Sequence, residues 1–294
     1  MTEQKGAFRS DGDGLIVEQP DSLTQEEIDN FRAYYARTKG QSLPGFELLL
    51  KHRSDALKRF RNSVRQTSAP QFRGKMLPVV LQHFHQYIIN GYLEGIRYQM
   101  NLSRAAGATR AEILDVIVLA FLRGNAFGIN SVAAALGDSL DDYEEPGIEN
   151  RWPDGWAHDP QAFRSGIDFS QPDFTAADRD ALFGWYEGLI GEIPRHIQYM
   201  AKNTPDLLKA YRNRYEHATK ALPKQHVPFL LLNSSVSRGL LSGVRENMLL
   251  CKAFGVARQQ ALDVTGWATF HFSGVEALGP LNEGVADILE AWAE

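Results

Sequence analysis

The chain has 294 residues, 44% of them hydrophobic, with a formal net charge of −5 and a pI near 5.9. That length fills one large core or two medium ones, and the acidic balance argues against nucleic acid or an anionic membrane as a partner. A single cysteine, Cys251, excludes an internal disulfide, a CxxC redox pair and a thiolate zinc site within one chain.

Residues 1–19, opening "MTEQKGAFRSDGDG", show no basic-then-apolar signal pattern and read as a mobile tail on a cytoplasmic protein. From residue 20 the chain reads as helix. Apolar residues recur at three- and four-residue spacing in "EEIDNFRAYY" (26–35), "ALKRFRNSV" (56–64) and "EILDVIVLAFL" (112–122). The longest unbroken apolar run, 116–122, is about a third of a bilayer span. "NG" at 90–91 reads as a kink or a short break between helices. At "AGAT", Gly107 can end one helix in the left-handed conformation, Thr109 can cap the next, and Glu112 completes a capping box, which gives Glu112 a structural role.

The chain also repeats itself. Residues 91–116, "GYLEGIRYQMNLSRAAGATRAEILDV", match 239–264, "GLLSGVRENMLLCKAFGVARQQALDV", at 12 of 26 positions with a shift of 148. "LLKHRSDALKRFRN" (49–62) matches "MAKNTPDLLKAYRN" (200–213) at a shift of 151. "LTQEEIDNF" (23–31) and "FTAADRDALF" (174–183) both place a threonine three residues before an acid, a helix-opening pattern. Two homologous repeats are expected, 20–140 and a more divergent 172–294, joined by a Pro-, Gly-, Asp- and Trp-containing linker over 141–171.

The frame "NG(x)7QM(x)6GATxxEIL", followed by the Gly-rich "FLRGNAFGIN", resembles the carboxymuconolactone decarboxylase superfamily, which includes the alkylhydroperoxidase D-like proteins. The likeness is best over about 70–137 and weaker in the second half. It implies an all-α fold of two alkylhydroperoxidase D-like helical-bundle repeats packed as a pseudo-dimer, in a homo-oligomer. Peroxidase members carry NGCxxC with a histidine four residues on. Here those places hold Tyr92, Gly95 and Gln99, and in the second half Leu240, Gly243 and Asn247. No thiolate can form there, so disulfide-based peroxidase chemistry is not expected.

If 83–104 is near-continuous helix, His85, Tyr92, Gly95 and Gln99 share one stripe, with Gly95 leaving a gap that can admit a ligand. His85 is then the first candidate for acid–base work and Tyr92 a proton donor. His271, in the segment that closes over the pocket in this family, is the second acid–base candidate. Arg97, Tyr98, Gln99 and Asn247 are candidate substrate-binding residues, an arginine being suited to a carboxylate. Plainer roles remain open: His85 as a core or interface histidine, Tyr92 as volume replacing the lost cysteine, and Arg97, repeated as Arg245, as an element of the pseudo-symmetric interface. "HFH" at 83–85 is a poor metal clamp on a helix, and neither a metal nor a cofactor is expected.

The expected function is that of a cofactor-independent lyase, decarboxylase-like, acting on a small carboxylated ring or lactone compound in aromatic-compound catabolism. The alternative is a non-catalytic small-molecule-binding or assembly protein that has lost the peroxidase chemistry.

Overall fold

The computed structural model describes residues 22–40, 42–68 and 75–292. The expected tail at 1–19 lies outside them. Among the described residues the regular elements are all helical, with no strand, so the chain is all-α. In order they are α1 (Gln25–Lys39), α2 (Pro44–His52), α3 (Ser54–Ser68), α4 (Met76–Asn90), α5 (Leu93–Ala105), α6 (Arg110–Leu136), α7 (Ala176–Ile190), α8 (Arg195–Asn203), α9 (Pro205–Glu216), α10 (His226–Ser237), α11 (Leu241–Ala253), α12 (Arg258–Ala268) and α13 (Leu278–Glu290). They form two compact units: residues up to 110 with 130–153, and 111–129 with 154–294.

The helix starts follow from local chemistry. Thr24 caps α1 by accepting the Glu27 amide, while the Glu27 carboxylate accepts the Thr24 amide. Thr175 and Asp178 do the same for α7. Each box satisfies two donors that a helix start otherwise leaves orphaned. The same acids then anchor a second helix. Lys58 of α3 reaches Glu27 at 3.1 Å, and Lys209 of α9 reaches Asp178 at 2.9 Å, all four side chains being almost fully buried. Each unit also lays an arginine over a tyrosine at 5.6 Å, Arg61 on Tyr35 and Arg212 on Tyr186.

Asp178 supplies a pH test. Burial pushes its carboxyl up, but Lys209 and the amides of Thr175 and Asp168 more than offset this and bring it down to about 2 from an ordinary 3.8. The native value lies below the unfolded one, so the stabilisation is complete above about pH 4 and is lost as pH falls towards 2. Urea unfolding should show Asp178→Asn losing about 2 kcal/mol of its deficit relative to wild type between neutral pH and about pH 2.

The middle of α6 groups with the second unit for visible reasons. The Asp115 carboxylate accepts the amides of Lys220, Ala221 and Leu222 at 2.7–2.9 Å. Arg214 and Arg238 donate to the carbonyls of Phe121 and Arg123. Asn125, at φ 53° and ψ −157°, interrupts the helix.

Residues 110–140 form the one segment among those described that is long and apolar enough to cross a membrane by length and composition, with mean hydropathy 1.5 over its best window. Counting only the unbroken run at 116–122 understated this. Its inner face, Ile113, Val116, Leu119 and Ala120, is fully buried. Only 33% of that window is buried, and Leu114, Val118, Phe121 and Phe127 are exposed.

Candidate active site

The stripe expected over 83–104 does not form. Gly91 takes the left-handed conformation at φ 64° and ends α4, and Tyr92 is the extended residue before α5. "NG" is therefore a full break, because a left-handed residue cannot continue a right-handed helix. His85 lies on α4, fully buried in its core-facing surface, and the other three candidates start a new helix.

The gap at Gly95 is filled. A Cβ there would lie 2.3 Å from Cδ1 of Tyr92 and 2.9 Å from Cδ2 of Tyr87, whose rings meet edge to face with centroids 5.5 Å apart. Burial, and then Glu94, raise the Tyr92 hydroxyl above its ordinary value, which makes it a weaker acid. The expected binding groups have protein partners. Gln99 donates to the Val80 carbonyl at 2.9 Å, and Arg97 to the carbonyls of Ala135 and Ala134 at 2.9 and 3.3 Å. Tyr98 packs on the Phe31, Tyr35 and Phe46 cluster, where burial lifts its hydroxyl well above the usual range.

In the second unit, Asn247 turns its amide nitrogen to the Gly243 carbonyl at 2.7 Å. Among the described residues its amide oxygen and the Ser235 hydroxyl are buried without hydrogen-bond partners. His271 sits in a π-helical turn, Thr269–Ser273, with its ring 3.8 Å from that of Trp267. Cys251 is fully buried, and burial pushes its thiol far up, so it stays protonated. Among the described residues no group of three His, Cys, Asp or Glu side chains could hold a metal ion.

A different set of polar side chains converges in the second unit. Ser242 and Glu246 stand four residues apart on α11 and so share one face. His196, at the second position of α8, lies against both. Its Nδ1 is 2.8 Å from the Ser242 Oγ, and its Nε2 is 3.4 Å from the Glu246 Oε2. Tyr186 of α7 donates to the other Glu246 oxygen at 2.7 Å, and Arg212 of α9 approaches the Tyr186 oxygen at 3.3 Å. Arg212 is in turn paired with Glu216 at 2.9 Å, and Glu216 accepts the Ser165 hydroxyl. The polar chain thus runs from a fully buried guanidinium to a serine.

That serine lines a cleft of about 680 Å³ between the start of α8, the start of α11 and α13, together with Glu192, Arg195, Gln198, Arg245 and Glu283. Arg245 is held by Glu192 and Asp287 in two ion pairs at 2.7 and 2.8 Å. Arg195 is exposed and forms no ion pair among the described residues, which leaves its charge for a ligand. His196 is about one-third exposed. Burial, with a smaller push from Arg123, lowers its imidazole below the ordinary 6.5 against the pull of Glu246. At neutral pH it is a neutral base with a carboxylate on one nitrogen and a hydroxyl on the other.

Sequence reasoning passed over His196, because "PRHIQYM" carries no motif. One signal was readable: Ser242 and Glu246 replace Glu94 and Tyr98 of the first repeat. No family model, no curated protein and no solved structure matches the chain.

Proposed function

We propose that the protein is a cofactor-independent carbon–carbon lyase acting on a carboxylated ring or lactone compound. In this reading the chain is a tandem of carboxymuconolactone decarboxylase-like repeats whose reactive centre has moved to the second. The observation that carries it is the neutral His196 held between Ser242 and Glu246, with Ser242 lining a cleft that Arg195 also lines.

Arg195 receives the substrate carboxylate. A substrate hydroxyl gives its proton to Ser242 as Ser242 passes its own to His196, the adjacent carbon–carbon bond breaks towards a carbonyl, and the carbanion left behind takes a proton back along the same path. Glu246, fixed by Tyr186, stabilises the imidazolium formed in between. The first unit serves as scaffold: it carries Gly45, Glu94 and Tyr98 at the matching places, and Tyr92 and Tyr87 fill the space beside Gly95.

That filled space also favours the second reading, a binding protein without turnover. Incubation of the purified chain with a panel of ring-derived hydroxy acids and lactones separates the two. Product formation supports the lyase. Thermal stabilisation by a panel member with no product supports the binding protein and rejects the lyase.

A further inference from the structure

Ser242 does more in this geometry than orient a histidine. With Glu246 ionised, its carboxylate faces Nε2 and favours the tautomer with the proton there, which leaves Nδ1 as the acceptor of the Ser242 hydroxyl. Nucleophile, base and orienting acid then stand in the order that activates a serine, and Tyr186 holds the acid from behind.

Ser242 is also the second residue of α11. Among the described residues its own amide and that of Gly243 find no backbone acceptor, as the first turn of a helix leaves them. Paired donors of this kind, one on the nucleophile and one on the next residue, suit a developing oxyanion. At the corresponding places of the first repeat stand Gly45, Glu94 and Tyr98, so that unit has neither the nucleophile nor the base nor the acid.

We propose that Ser242 is a nucleophile towards the carbonyl of a small lactone or ester carrying a carboxylate. His196 takes the Ser242 proton as Oγ bonds to the carbonyl carbon, and the amides of Ser242 and Gly243 receive the oxyanion. Collapse breaks the carbon–oxygen bond of the lactone, and the leaving alkoxide takes the proton from His196. Water, deprotonated by His196, then cleaves the acyl–serine bond. The products are a hydroxy acid and the regenerated serine, with no oxidant or reductant consumed. This rests on the lyase reading only in using the same cleft.

The test is labelling of the full chain with a fluorophosphonate, followed by peptide mass analysis. The expected result is one adduct on Ser242, none in Ser242→Ala, and labelling about 100-fold slower in His196→Gln. Ser242→Cys, if correctly folded, should instead be alkylated by iodoacetamide at that position. Wild-type protein that turns over the hydroxy-acid panel but takes no label on Ser242 keeps the lyase reading and overturns the nucleophile. Labelling of Ser242 without lyase turnover does the reverse. A folded wild-type protein with neither response overturns both.

Discussion

His196→Gln is expected to lower turnover of an accepted panel substrate by about 10²–10⁴-fold, the range a positioned acid–base group contributes. Glutamine keeps a polar side chain of similar reach between Ser242 and Glu246 but cannot carry a proton at neutral pH. His196 is only partly buried, so far-ultraviolet circular dichroism and the melting temperature should stay close to wild type. Steady-state kinetics on the purified variant reads the effect directly. A loss confined to KM, with kcat unchanged, would make His196 a binding residue and remove it from the chemistry.

Arg212→Met should cost about 3–5 kcal/mol of unfolding free energy, the range for breaking a buried ion pair. Arg212 is fully buried, paired with Glu216 and packed against the rings of Trp185 and Tyr215 at 4.9 and 5.0 Å. Methionine replaces much of the volume but leaves the Glu216 carboxylate without its cation in a buried place. The penalty therefore comes from the stranded charge more than from lost packing. Urea unfolding measures it against Arg179→Ala, which removes an exposed pair with Asp180 and should change stability by less than about 1 kcal/mol. Arg212 also ends the polar chain behind Tyr186 and Glu246, so a folded remnant of the variant should show weakened catalysis as well.

The helices were legible because their signals are local. The threonine–acid starts at 24–27 and 175–178 became capping boxes, and Gly107 took the left-handed conformation at φ 95° that its place between two helical patterns required. Helices at the matched places agree in length in part: α5 and α11 each span thirteen residues, α1 and α7 fifteen and α2 and α8 nine, while α3 and α9 span fifteen and twelve and α6 and α12 twenty-seven and eleven.

The site was less legible. Reading 83–104 as one helix gave a face that Gly91 abolishes, and the glycine gap closed because Tyr92 folds its ring over Gly95. Whether a glycine opens a space depends on where neighbouring rotamers fall, and no spacing rule reports that. His196 and Ser242 come together from 46 residues apart. Periodicity within one element cannot show a contact between α8 and α11. The substitution of Ser242 and Glu246 for Glu94 and Tyr98 was the available clue, and it gains meaning only once the histidine opposite them is known.

The pH dependence of kcat/KM for the wild-type protein, set beside that of His196→Gln, tests the reactive centre most directly. Burial and Arg123 hold His196 below its ordinary value against Glu246, and its neutral form is the working one. Activity should therefore fall on the acid side with a midpoint below 6.5, and the residual activity of the variant should lack that limb. A wild-type rate that stays flat through this range, or an identical acid limb in His196→Gln, would contradict the assignment.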